Sequence, residues 1–383
     1  MKRKQRRRLA VRAKVSIIIL ADGRNNRLVV GRDCWARRYV RHTGHGAPSG
    51  LALPFEDSLS HWMLKKIALE EHFITDLLAP YAVNNRPAKN LALFAELRRR
   101  LADFGSMRLE AMDQAGIAYA VLSATVPGVH LEADPSKATD LARRANDELA
   151  TEVQRQPTRY GGFAALPLQD PSSAAGELER AVRQLGFKGA MVNGHALGHY
   201  LDAERFLPFW ERAEALDTPI YLHPTDPPDH PAMFAGRPEL NGSTWAWTAE
   251  AATHALRLVF GGVFQRFPRL KLILGHMGET LPYVMWRLDN RARQADETLS
   301  ADRLPSSIIK RNFWITTTGV CDHAALHTAL ANLGEDRIMF SVDYPYESST
   351  VAAQFLESAP ISDEVRAKIA YGNAARLLEL DLA

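Results

Sequence analysis

At 383 residues, with 46% hydrophobic and 24% charged side chains, the chain has ordinary globular composition and is long enough for one large α/β barrel or two modest domains. Two cysteines, Cys34 and Cys321, exclude a disulfide framework, the lack of a CxxC pair argues against a zinc ribbon, and the reducing cytoplasm becomes the default compartment. The net charge of +3 is unevenly spread: residues 1–62 carry 14 Lys/Arg against 4 Asp/Glu, so the remainder is mildly acidic, and no apolar run approaches the roughly 18 residues of a membrane span.

The chain opens on the basic block Lys2-Arg3-Lys4-Gln5-Arg6-Arg7-Arg8 and runs without sustained helical or strand period to the linker-like Gly44-His45-Gly46-Ala47-Pro48-Ser49-Gly50. Three readings are open for residues 1–62. One basic cluster without interleaved aromatics is a poor nucleic-acid arm, and Val15 to Ala21 is a very short apolar core for an export signal. The simplest reading is a disordered leader, or a mis-assigned start with the true one at Met63.

From Met63 onward, β-like apolar runs alternate with longer amphipathic stretches, which is the signature of βα units around a parallel sheet. The predicted strands are Lys66–Glu70, Tyr119–Ser123, Gly162–Leu166, Ala190–Asn193, Ile220–His223, Leu270–Gly275, Phe313–Thr317 and Arg337–Ser341. Predicted helices cover Asp134–Gln154, Ser172–Leu185, Ala203–Leu216, Trp247–Phe264, Leu281–Asp289, Asp322–Leu333 and Ser362–Leu378, several opened by Asp or Ser caps. Gly105, Gly116, Gly186 and Gly334 suit left-handed helix ends. Eight strands in this order fit a closed (β/α)8 barrel over residues 63–383.

Four of the strands end in metal-binding side chains. Glu70 and His72 are two apart on a strand and share a face, Glu71 pointing away, so they can chelate a divalent ion. His223 ends Ile220-Tyr221-Leu222 and precedes Pro224, which cannot continue the ladder. His276 and Glu279 lie in Gly275-His276-Met277-Gly278-Glu279, a spacing that suits an imidazole held by a neighbouring carboxylate. Asp343 ends the last apolar run before Tyr344-Pro345. Each signal alone has a bland counterpart: an accidental ExH, a core histidine, a helix cap, a turn former. Their order after successive strands is what points to one site at the carboxyl ends of a barrel.

With these motifs on the page, the sequence resembles the amidohydrolase superfamily, and within it the metal-dependent decarboxylases of γ-resorcylate and 5-carboxyvanillate. The resemblance runs from about Met63 to Leu380 and rests on Ala68-Leu69-Glu70-Glu71-His72-Phe73, Arg143-Arg144-Ala145-Asn146-Asp147, Val192-Asn193-Gly194, Tyr221-Leu222-His223-Pro224, Thr253-His254-Ala255-Leu256-Arg257-Leu258 and Leu274 through Glu279 to Met285-Trp286-Arg287. Ordinary hydrolases of the superfamily begin with HxH, whereas ExH marks this branch. The resemblance implies a distorted (β/α)8 barrel in which Glu70, His72, His223 and Asp343 hold one Mn²⁺ or Zn²⁺. It also implies a His276–Glu279 pair beside the metal, Arg287 near the substrate, a small aromatic acid as substrate, and a homodimer or homotetramer. Phe73, Trp245, Trp247 and Tyr344 could line the ring pocket. Tyr344 stands where relatives often carry Trp, which leaves the substrate open.

The expected reaction is non-oxidative loss of CO₂ from an ortho-hydroxybenzoate, in principle reversible, with Asp343 as proton donor and His276 oriented by Glu279. The competing enzyme reading is a hydrolase or hydratase acting on a lactone, amide or unsaturated acid through a metal-activated water. A non-catalytic barrel that binds through its basic leader is the reading from outside enzymology.

Overall fold

In the computed structural model, which describes residues 64–82, 91–229 and 231–381, the apolar runs form eight short strands. They are β1 (Lys66–Phe73), β2 (Ile117–Ala124), β3 (Tyr160–Gly162), β4 (Ala190–Asn193), β5 (Ile220–His223), β6 (Leu272–Leu274), β7 (Phe313–Thr316) and β8 (Ile338–Met339). The basic leader, on which the expectation of a disordered or mis-assigned start falls, lies outside the described residues, as does Cys34.

Every strand pair is parallel. One ladder runs β1-β2-β3 and the other β4-β5-β6-β7-β8. Single bridges join them at both seams: Ala164, just after β3, pairs with Ala190, and Glu71 pairs with Tyr344 beyond β8. At these seams the Met191 amide donates to the Ala164 carbonyl at 3.1 Å and the His72 amide to the Tyr344 carbonyl at 2.8 Å. The ring is thereby closed as the expected (β/α)8 barrel, with helices on its outside.

The outer helices begin where sequence chemistry places them. Pro135–Arg155, Pro171–Gln184 and His323–Leu333 are capped by the carboxylates of Asp134, Asp170 and Asp322, which accept from amides of the first turn. The predicted Trp247–Phe264 helix is interrupted instead: it runs Ala246–Phe260, then Gly261 and Gly262 (φ 81°) separate it from a short turn Val263–Arg266. Gly105 does not end a helix. It precedes Ser106–Ala115, whose C-terminus Gly116 closes at φ 68°. That helix was not predicted, because it buries Arg108 beside Met112 and Ala115 rather than an apolar stripe. Leu91–Ala102, Pro305–Asn312 and Ser349–Ser358 are further helices without a sequence prediction.

Two apolar layers result. Ile67, Leu69, Tyr119, Val121, Phe163, Met191, Tyr221, Ile273 and Met339 fill the barrel, and Ala374 and Leu377 of the helix Asn373–Leu377, with Leu378 just after it, pack with them. Alternate residues of the same strands, such as Ala68, Leu122, Val192, Leu222 and Leu274, pack outward with the helices. Among the described residues no helix is long and apolar enough to cross a membrane.

Candidate metal centre

Strand alternation alone cannot place both Leu69 in the barrel core and Glu70 in the site, because neighbours on a strand face opposite ways. The conflict is resolved by an irregularity between Ala68 and Glu71, where β1 carries an extra residue against β2 and its parity flips. The amides freed by this bulge are not left bare. Leu69 N–H and Glu70 N–H both donate to Ser341 Oγ, at 3.0 and 2.7 Å, and Ser341 Oγ–H donates to Glu71 Oε1 at 3.2 Å. Glu70 and His72 therefore face the cleft. Glu71 turns outward and stays buried, its carboxyl pushed up to about 8 by burial.

Three predicted ligands converge. One donor atom from each of Glu70, His72 and His223 lies within 4.8 Å of the others, and all three residues are buried. His223 Nδ1 donates to the Pro224 carbonyl at 2.8 Å, so its Nε2 offers a lone pair. That lone pair faces Glu70 Oε1 at 3.3 Å. Two acceptors this close repel each other unless a cation lies between them. Glu70 Oε1 and His72 Nε2 have no hydrogen-bond partner despite their burial, and burial lowers His72 to about 4 and His223 to about 3, the neutral form a metal needs. The donor set of one carboxylate and two neutral imidazoles fits a divalent transition metal.

Asp343 joins the cluster through its Oδ1, 3.2 Å from His72 Nε2. Its amide donates to the Glu70 carbonyl at 3.0 Å and its φ of 82° is left-handed, a conformation held by this lacing of β8 to β1. Burial first, then the Glu70 charge, raise its carboxyl well above the usual range. Burial also pushes Glu70 up, but His276, His223, His72 and the Tyr221 hydroxyl outweigh it and leave that carboxyl low.

His276 and Glu279 pair as expected, Nδ1 to Oε1 at 2.7 Å. The turn that carries them is left-handed over five successive residues, His276 to Thr280, with φ between 47° at His276 and 80° at Gly278. Left-handed backbone costs roughly 1–2 kcal/mol per non-glycine residue, so the surroundings must hold it. Ahead of it, Gly275 is required by space: a Cβ there would stand 2.7 Å from Glu70 Oε2. Burial would lower the His276 imidazole, yet the Glu279 and Glu70 charges prevail and raise it to about 10.

Other predicted residues lie elsewhere. Phe73 follows His72 and so points to the helix layer, against Phe104 with ring centroids 5.3 Å apart, not into a ring pocket. Tyr344 is likewise turned outward beneath the buried Arg108 guanidinium, which sits 4.7 Å from its ring. Trp245 is surface-exposed, whereas Trp247 stands 6.1 Å from the His223 ring with its Nε1–H on Asp226. Arg287 is exposed on the helix Leu281–Ala295, eight residues beyond Glu279.

Several site residues were not singled out in the sequence. Tyr221 donates to Glu70 Oε2 and lies 2.8 Å from Thr316 Oγ1, Ser123 Oγ is 3.3 Å from His72 Nδ1, and Tyr346 stacks edgewise on His72 at 5.8 Å. Tyr221 could have been found by parity, since it lies two residues before His223 on β5. Ser123 and Tyr346 become visible only once β1 has neighbours.

A closed parallel barrel with carboxylates and neutral imidazoles converging beyond its strand ends defines a metal-dependent barrel enzyme. The chain belongs to the amidohydrolase family, whose profile, described as Amidohydrolase, matches residues 58–380. Gamma-resorcylate decarboxylase of Polaromonas sp. is 46% identical over 325 residues, covering 82% of this chain and 99% of the relative. The crystal structure of dihydroxybenzoic acid decarboxylase from Polaromonas sp., with bound manganese and the inhibitor 2-nitroresorcinol, is 45% identical with a TM-score of 0.78 and covers 83% of this chain and 98% of that one. 5-Carboxyvanillate decarboxylase from Sphingomonas paucimobilis is 36% identical with a TM-score of 0.77, covering 83% and 100%.

Proposed function

We propose that this protein is a metal-dependent, non-oxidative decarboxylase of an ortho-hydroxybenzoate, a carboxy-lyase whose catalytic domain spans residues 63–383, working in the cytoplasm as a homodimer or homotetramer. The observation that carries the reading is the facing pair His223 Nε2 and Glu70 Oε1, 3.3 Å apart and buried, in a chain 46% identical to a γ-resorcylate decarboxylase.

Glu70, His72, His223 and Asp343 would hold one Mn²⁺ or Zn²⁺. When bound, the ion would supply Lewis-acid polarisation of the substrate. The remaining work falls to the protein. Direct loss of CO₂ from the ring would leave an in-plane electron pair that the π system cannot accept. Protonation at the carboxylate-bearing carbon avoids this, because the dienone formed can break its C–C bond, release CO₂ and regain aromaticity. Asp343 is the proposed donor: as a metal ligand its carboxylate would be anionic, so it would take up a proton released by the ortho hydroxyl on binding and pass it to the ring, and the proton consumed overall is replaced from solvent. His276, held by Glu279, would hydrogen-bond a substrate oxygen. Arg287 would neutralise substrate charge in bidentate fashion. It shares the exposed face of its helix with Tyr283 and Trp286, an apolar face that the proposed oligomer would cover.

The test is a screen of hydroxybenzoates on Mn²⁺-loaded and Zn²⁺-loaded protein, monitored for CO₂. Stoichiometric CO₂ with the decarboxylated phenol is expected. Incorporation of ¹⁸O from water into the product, without CO₂, would overturn the reading in favour of a hydrolase.

A further inference from the structure

After Asp343 the chain folds back on itself, with the Tyr346 and Glu347 amides both donating to the Asp343 carbonyl at 2.8 and 3.1 Å. This turn brings two exposed residues, Tyr346 and Glu347, back beside His72 and His276. Tyr346 lies against the His72 ring and its hydroxyl is fixed 2.7 Å from Thr125 Oγ1, so it forms a wall. Glu347 is an exposed residue whose carboxylate makes no hydrogen bond or salt bridge among the described residues and feels only the charge of His276.

Gly319 locates it. A Cβ on that residue would stand 3.3 Å from His276 Cδ2 and 3.9 Å from Glu347 Cγ, so the imidazole and the acid flank one glycine on the same rim of the cleft. With φ 61° the position also favours glycine, and the close approach of the two side chains is built into the backbone. The charges register one another: Glu347 adds to the rise of Asp343, and His276 partly offsets the burial that raises Glu347. An unpaired carboxylate at the edge of an aromatic-acid site accepts a hydrogen bond from a ring hydroxyl and repels a second ring carboxylate.

We propose that Glu347 is a specificity-determining residue, selecting monocarboxylate substrates that carry a second ring hydroxyl in addition to the one at the metal centre. The proposal rests on the decarboxylase reading and deepens it. It can be tested without turnover by calorimetric binding of 2-nitroresorcinol, with two hydroxyls, and 2-nitrophenol, with one, to Mn²⁺-loaded wild type, Glu347→Gln and Glu347→Ala. Bound manganese and melting temperature serve as folding controls. A hydrogen bond to a charged group predicts that wild type prefers 2-nitroresorcinol by roughly tenfold or more. Glu347→Ala should reduce that preference to about threefold or less, and Glu347→Gln, whose amide oxygen still accepts, should fall between. No preference in wild type, or the same preference in all three proteins, overturns the proposal. A wild type that shows the preference but releases no CO₂ from 2,6-dihydroxybenzoate would sink the decarboxylase reading and leave the role of Glu347 in ligand selection standing.

Discussion

Below the metal centre the barrel interior is apolar and closed, with Ile67, Val121, Phe163, Met191, Ile273 and Met339 packed together and Leu377 and Leu378 at their far side. At the strand ends above, Glu70 Oε1, His72 Nε2 and Glu279 Oε2 are buried without partners, and the turn after β6 is left-handed throughout. The same strands supply both regions. Cohesion is thus concentrated in their early residues and reactivity in their last ones, and each region can be altered with limited effect on the other.

The largest expected effect is at the upper end. Asp343→Asn keeps the shape and removes the transferable proton, so turnover should fall by roughly 100- to 10,000-fold with melting temperature nearly unchanged. Near-normal CO₂ release would remove Asp343 from the mechanism. At the lower end, Ile273→Ala should cost about 2–5 kcal/mol in urea unfolding while leaving bound manganese per folded molecule unchanged. If metal content fell in step with stability, the two regions would not be separable.

Tyr221→Phe probes the boundary, because its ring belongs to the core and its hydroxyl to Glu70. Loss of that bond should weaken metal affinity by roughly tenfold, read by competition with a chelator, with only a small change in stability. The smallest effect is in the metal-free protein. His276 is raised from 6.5 to about 10, so the stability from its pairing with Glu279 is fully present below 6.5 and is lost as pH rises through about 10. His276→Asn should flatten that part of the stability profile, and a variant whose profile coincides with wild type would show that the pair does not couple folding to pH.

Much of this was legible in the chain. The predicted β4 and β5 match the observed strands residue for residue, and the Asp134 and Asp322 caps start their helices as expected, because strand and cap signals are local; the helix expected from Ser172 is capped two residues earlier, by Asp170. Glu70, His72 and His223 could be read as ligands for the same reason: an apolar run that stops at Pro, Gly or a charged residue declares where its strand ends. Phe73 and Tyr344 were misplaced because an aromatic beside a ligand gives no sign of which face it takes.

What the sequence determined by itself is the order of strands and the residue types waiting at their ends, since both follow from short-range alternation and turn chemistry. Only the tertiary structure decided that Glu70 joins His72 in the cleft although Leu69 beside it is core, that Tyr344 turns outward beneath Arg108, and that Tyr221 steadies a ligand. The physical reason is the bulge in β1. Its extra residue is tolerated only because Ser341, 271 residues beyond Glu70, arrives to accept both freed amides, and no local pattern encodes that meeting.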